Sequence, residues 1–135
     1  LLMFIVHRHA ETRIWDHLAK SGFDITPAQA RLAARIDEQG SRITTLAESA
    51  GVTKQTASAL VDQLERAGYV ERLPDSTDAR AHLIRMAPRG LEAQACAREM
   101  ERQVEEEFKE HLGARRMREL RRALEALREI TDPYA

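Results

Sequence analysis

Residues 52–72, VTKQTASALVDQLERAGYVER, begin with polar, hydroxyl-rich residues, continue in helical rhythm, and end on a glycine followed by a β-compatible run. Thr53 stands where a hydroxyl can accept a backbone N–H of the first turn and so cap the helix. Ala57, Leu60, Val61 and Leu64 recur every three or four residues, which gathers them on one face. Gly68 suits the left-handed residue that closes such a helix. The apolar face explains packing but leaves Lys54, Gln55, Thr56 and Ser58 unexplained. This helix start is built to meet something other than its own core.

Immediately upstream, TLAESAG puts Thr45 and Glu48 at capping-box spacing and predicts a helix of about two turns ending at Gly51. Two short helices meeting across a glycine turn are a helix-turn-helix signature. Further upstream, TPAQARLAARIDEQG has Thr26 as N-cap, Pro27 at the first helical position and Gln29 three residues after the cap, with Gly40 as the expected stop. A first helix over residues 1–20 is expected from Ile5, Ile14, Trp15 and Leu18, with Ser21-Gly22 closing it. Downstream of Gly68 the period changes. YVERL and AHLIRM read as two strands separated by the turn-forming PDSTDA. From Pro88 the chain is helical again, with Leu91, Met100, Val104, Phe108 and Leu112 on one side. Gly113 breaks it, and a last helix repeats Met117, Leu120, Leu124, Leu127 and Ile130.

Helix, helix-turn-helix and hairpin in this order make a winged helix-turn-helix, mainly α with a small β-hairpin. The expected division is a winged domain over 26–90 and a helical dimerisation region from 1–25 with 91–135. In such a domain the second helix of the pair fits the major groove of double-stranded DNA, its N-terminal side chains on base edges. Gln55 can pair with adenine through two hydrogen bonds, Lys54 can reach guanine or phosphate, and Thr53, Thr56 and Ser58 can donate to phosphate oxygens. On the hairpin, Arg72 and Arg80 flank the tip, where a guanidinium can enter a narrow minor groove. Asp78 stands two residues before Arg80 and is expected to hold its guanidinium.

The run LAESAGVTKQTASALVDQLERAGYVERLPDSTDARAHLIRMAPRG, residues 46–90, resembles the winged-helix core of the multiple antibiotic resistance regulator (MarR) family, above all in LVDQLERAGYVER followed by DAR. The resemblance implies a homodimeric bacterial transcription regulator, usually a repressor, whose terminal helices interlock and whose winged domains read a pseudo-palindromic site. It also implies release from DNA by a small aromatic or phenolic ligand, or by cysteine oxidation. Beside the first helix, Trp15 with Arg13 or His9 would hold an aromatic carboxylate by stacking and charge; the plainer reading has Trp15 packing the junction. The chain departs from the family at Met86-Ala87, where a Leu-Thr pair commonly precedes the next helix, so the usual threonine cap is missing.

Composition bounds the remaining possibilities. The 135 residues are 43% hydrophobic and 32% charged, with net charge −1, which fits one domain with a core modest for its length. From residue 42 to 90, seven Lys and Arg face six Asp and Glu, so a modest or unusually salt-sensitive affinity for DNA is expected. One cysteine, Cys96, rules out an internal disulfide and fits a reducing cytoplasm. An ordinary packed thiol is its default reading. LLMFIV at the start is far shorter than a membrane span. With the two C-terminal helices it offers more apolar surface than a small winged domain covers, which favours a homodimer.

His7 and His9 point to different sides of a helix and His17 lies too far along it for one site, so no metal or cofactor is expected. No phosphate loop, nucleophile elbow or zinc-hydrolase motif is present, so no enzyme is expected. The alternative function is a winged-helix protein interaction module without DNA binding.

Overall fold

The computed structural model describes residues 1–134. Among these residues, helices α1 (Leu2–Lys20), α2 (Pro27–Ala33), α3 (Ile43–Ala50) and α4 (Lys54–Arg66) come first. Strands β1 (Val70–Asp75) and β2 (Asp78–Met86) follow, then helices α5 (Pro88–Leu112) and α6 (Ala114–Thr131). The strands form one antiparallel hairpin, so the architecture is the mainly helical, winged one expected. Among the described residues no helix is long and apolar enough to cross a membrane. The chain packs as two compact units, Leu18–Cys96 and a second formed by Leu1–His17 with the chain from Ala97 onward.

The winged unit is built around the inner face of α4. Ala57, Leu60, Val61 and Leu64 are buried, together with Leu32 of α2, Leu46 and Ala47 of α3, Tyr69, Val70 of β1 and Ile84 of β2. Each large aliphatic side chain removed from water in this way stabilises the fold by roughly 1.5–3 kcal/mol. Both caps foreseen for α2 and α4 form. Thr26 Oγ1 accepts the Gln29 N–H while Gln29 Oε1 accepts the Thr26 N–H. Thr53 Oγ1 accepts the Thr56 N–H at 3.1 Å. Gly51 and Gly68, at φ of +68° and +82°, take the left-handed turns that end α3 and follow α4, a conformation that costs a side-chain-bearing residue about 1 kcal/mol or more.

Two helix boundaries differ from the sequence reading. Helix α2 stops at Ala33 and not at Gly40. Ser41 Oγ accepts the Asp37 N–H and Asp37 Oδ1 accepts the Gln39 N–H, so local side chains take the backbone donors that a longer helix would have used. Helix α3 begins at Ile43 with Arg42 at the N-cap position, which puts Thr45 inside the helix and leaves Thr45 and Glu48 without a capping-box role. The cause is Ser41, whose backbone pairs in both directions with Ile84 of β2 and delivers the chain to the helix three residues early. At α5 the missing threonine has no visible consequence. Pro88 occupies the first turn, where its absent N–H is no loss, and Leu91 N–H reaches the Ala87 carbonyl.

In the hairpin, Val70 pairs with Met86, Arg72 with Ile84 and Pro74 with His82, and a register shift at Pro74/Asp75 tightens the turn to Ser76 and Thr77. A ring nitrogen that cannot donate is tolerated here because the strand is an edge.

In the second unit, α6 buries no residue, and Leu120, Leu124, Leu127 and Ile130 are exposed along it. The first six residues of the chain are all large, apolar and exposed as well. Together with α5 they frame an open groove of about 760 Å³, lined by Leu2, Met3, Val6, Phe108, Leu120 and Leu124 among others.

Candidate nucleic-acid interface

Capping decides how α4 presents its first turn. Thr53 Oγ1 also donates to Thr56 Oγ1 at 2.9 Å, so the two hydroxyls fix one another and Thr56 keeps its own proton for an outside acceptor. Lys54, Gln55 and Thr56 are exposed and Ser58 is half-buried beside them. Gln63, on the flank of α4, accepts from Gln29 Nε2 and ties the helix to α2. The polar residues of the opening stretch therefore stand on one rigid, exposed helix start, free of the core.

The wing sorts its arginines. Arg72 reaches back from β1 to α4, its Nε 3.2 Å from Glu65 Oε1 and its Nη2 on Asp62 Oδ1. Arg85 lies directly opposite Glu71 and bonds its carboxylate across the strands. Arg80 at the exposed tip has no ion pair among the described residues, and neither does Lys54. Asp78 does not hold the Arg80 guanidinium as the sequence reading expected: its Oδ1 accepts the Arg80 backbone N–H at 2.9 Å, an Asx-type turn that shapes the strand start and leaves the side chain free. Arg72, expected at the minor groove, is part of the tie between β1 and α4.

One group at the wing escaped the sequence reading. Asp75, only 8% exposed, uses both carboxylate oxygens: Oδ1 accepts from the Thr77 N–H and hydroxyl at 2.9 and 2.7 Å, and Oδ2 accepts from Arg42 Nε and Nη2 at 2.8 and 2.6 Å. The Thr77 backbone and hydroxyl donors, followed by Arg42, hold its carboxyl down at about 2 from the ordinary 3.8. Arg42 and Asp75 are 33 residues apart, and no spacing rule joins them.

Because the folded pKa of Asp75 is the lower one, the stabilisation is complete above the unfolded value and is lost as pH falls from about 4 towards about 2. Denaturant midpoints at about pH 7, 4 and 2.5 should show Asp75→Asn less stable than the parent at the first, with the gap closing at the last. A constant gap would contradict the assignment.

The residues considered for a small ligand lie in the second unit. Arg13 forms a two-pronged pair with Glu107 at 2.7 and 2.8 Å, which raises the arginine's pKa and lowers the carboxylate's. His9 sits by Phe108, ring centres 6.2 Å apart, and Trp15 is half-buried. His7 lies 3.4 Å from Glu11, and His17 lies 3.9 Å from Glu99. Among the described residues no cluster of three His, Cys, Asp or Glu could hold a metal ion, and Cys96 is half-buried within α5.

Comparison with known proteins agrees with this layout. The family model described as MarR family matches residues 23–81, which takes in α2, α3, α4 and the wing tip. No curated protein matches the chain. Among solved structures, a transcriptional regulator from Thermotoga maritima is 26% identical, with 98% of this chain and 92% of that one covered and a TM-score of 0.70. Apo MarR from E. coli is 22% identical, with 93% of each chain covered and a TM-score of 0.73. A mutant of MepR from S. aureus, bound to an oligodeoxyribonucleotide, is 19% identical over 93% of this chain and 92% of that one, with a TM-score of 0.69. The helix-turn-helix, the wing and the sequence match all fall on the same residues, so residues 23–81 carry the MarR-family pattern on a winged-helix fold similar to that of these regulators.

Proposed function

We propose that this protein is a homodimeric repressor that reads a pseudo-palindromic DNA site, each subunit placing α4 in a major groove and the wing tip in the adjoining minor groove. The observation that carries the reading is the pairing pattern. Arg42, Arg72 and Arg85 are each held by a carboxylate, while Lys54 on α4 and Arg80 on the wing tip are left free. Free cations at the two places where a winged domain meets DNA are the ones that can neutralise phosphates. In this reading Lys54 meets phosphate or guanine and Gln55 reads adenine. Thr53, Thr56 and Ser58 bind phosphate oxygens, and Arg80 enters the minor groove. Arg72 and Asp78 position the wing and make no DNA contact of their own. The protein would act in the cytoplasm, where its DNA lies.

A second copy is the natural cover for the apolar residues of α1 and α6. Leu124 and Leu127 are 51% and 43% exposed on a helix that buries nothing, and an exposed apolar stripe of that length marks an interface. Two half-sites roughly 34 Å apart then fit one dimer geometry only. Replacing both leucines with Asp should shift sedimentation from dimer to monomer at micromolar concentration and weaken DNA binding with it. An unchanged dimer would place the interface elsewhere.

Release by a small aromatic ligand completes the proposal. His9 and Trp15 supply ring surface, but Arg13 supplies charge only if a ligand carboxylate displaces Glu107. That exchange would loosen α1 from α5 and change the spacing of the two recognition helices, and the ligand would lower DNA affinity by its own preference for the altered spacing.

The test is repeated selection from a random duplex library at two salt concentrations. An enriched inverted repeat supports a dimeric reader and supplies the operator. No enrichment with the dimer intact would move the function to a protein interaction module.

A further inference from the structure

We propose that Arg42 is a positioning residue for DNA binding: through Asp75 it latches the tip of the wing to the start of α3 and so sets where Arg80 stands relative to α4. The proposal rests on the DNA-binding reading above.

The hairpin is held at its base and towards its tip; at the base Arg72, paired with Ile84, also bonds Asp62 and Glu65 of α4. At its base, Ser41 and Ile84 exchange backbone hydrogen bonds of 2.9 and 2.8 Å. Towards its tip, the carboxylate of Asp75 receives the Arg42 fork, and Arg42 Nη2 also lies 3.3 Å from Thr77 Oγ1. Asp75 is buried although residues 76–80 around it are all exposed, which is the burial of an anchoring group and not of a loop tip.

A two-stranded ribbon held only at its base is free to twist and swing. Arg80 precedes Ile84 by four residues, about 13 Å of strand, so a swing of about 10° about the base moves Arg80 by about 2 Å. That displacement exceeds the tolerance of a hydrogen bond to a groove edge. The second anchor removes this freedom, and it refers the wing to α3, which joins α4 through the Gly51 turn.

The electrostatics favour positioning over direct contact. To reach a phosphate, Arg42 would have to abandon a buried carboxylate whose other donors come only from Thr77, and stripping one partner from such a pair is costly.

The sign of one substitution separates the two roles. Asp75→Asn releases the Arg42 charge: a direct phosphate contact would then bind DNA as tightly as before or more tightly, whereas a broken latch weakens binding. On the duplex enriched by selection, Asp75→Asn and Arg42→Ala should each weaken binding about tenfold, with Arg42→Lys in between because it keeps the charge and loses the fork. Combined with Arg80→Ala, Arg42→Ala should add less than about twofold, since its effect passes through the residue already removed. Hydrogen exchange of the Thr77 amide should quicken in Arg42→Ala while the α4 amides keep their protection, which separates a loosened wing from an unfolded domain. Losses that multiply in the double variant, or tighter binding by Asp75→Asn, would overturn the latch. Were the parent to enrich no duplex, the DNA-binding reading would fall and the latch with it. Were Arg80→Ala to weaken binding while Arg42→Ala and Asp75→Asn did not, only the latch would fall.

Discussion

Replacing Gly90 with alanine should destabilise the protein by about 2 kcal/mol or more and lower its melting temperature by roughly 10 °C, the largest effect expected of any one-carbon change in this chain. Gly90 is buried in the first turn of α5, where an added Cβ would lie 2.1 Å from the Tyr69 carbonyl oxygen and 3.1 Å from its carbon. Met86 Cε, at 2.8 Å, can rotate away, but the carbonyl cannot. It already accepts the Ala87 N–H at 2.9 Å, and the residue that carries it is pinned by Arg89, whose guanidinium lies 5.0 Å over the Tyr69 ring. Making room means prising α5 from the end of the α4–β1 turn and losing that hydrogen bond. Alanine's better helix propensity returns only about 1 kcal/mol. Gly68→Ala is the comparator: its Cβ would meet only Arg89 Cδ, at an ordinary 3.9 Å, with a left-handed φ of +82°, so it should cost about 1 kcal/mol, clearly less than Gly90→Ala. Thermal melts of both variants at one protein concentration decide the order. Equal losses would show that α5 yields more readily than its contact with Tyr69 implies.

The second large effect is expected at the wing tip. Arg80→Ala should weaken DNA binding by about 1–2 kcal/mol per subunit, roughly thirty- to a thousandfold for a dimer in which both wings act fully. It should also lower the salt slope of log K by about 1 for each Arg80 lost. Gln55→Ala should behave differently, relaxing sequence preference with little change in salt dependence, because a neutral amide releases no counterion. Arg85→Ala is the internal control. Its charge is cancelled by Glu71, so removing it should leave the salt slope near the parent's. Fluorescence anisotropy over a range of salt concentrations measures all three. If Arg85→Ala lowers the slope as Arg80→Ala does, pairing in the free protein does not decide which arginines meet DNA.

How much of this could be read in advance follows from the range of the interactions. Thr26 with Gln29, Thr53 with Thr56, and the stripe from Ala57 to Leu64 are joined by three or four residues along a helix, and the sequence displays that spacing directly. The change of period after Gly68 likewise announces the hairpin, because alternation and helical spacing are local properties of the chain. Those features were enough to order the elements and to choose α4 as the helix that faces outward.

The same local rules failed where a distant residue competed for the backbone. Thr45 and Glu48 have the spacing of a capping box, yet Ser41 pairs with Ile84, 43 positions later, and starts α3 at Ile43. Charge shows the limit most clearly. In the sequence, Arg42, Arg72, Arg80 and Arg85 are equivalent cations. Folding brings Asp75, Asp62 with Glu65, and Glu71 against three of them and leaves Arg80 free. The sequence by itself determined which elements form and which helix face is polar, because hydrogen-bond period and capping act over one turn. Only the tertiary structure decided which of those charges remain available and what anchors the wing, because ion pairing depends on distances of a few ångströms between residues up to dozens of positions apart.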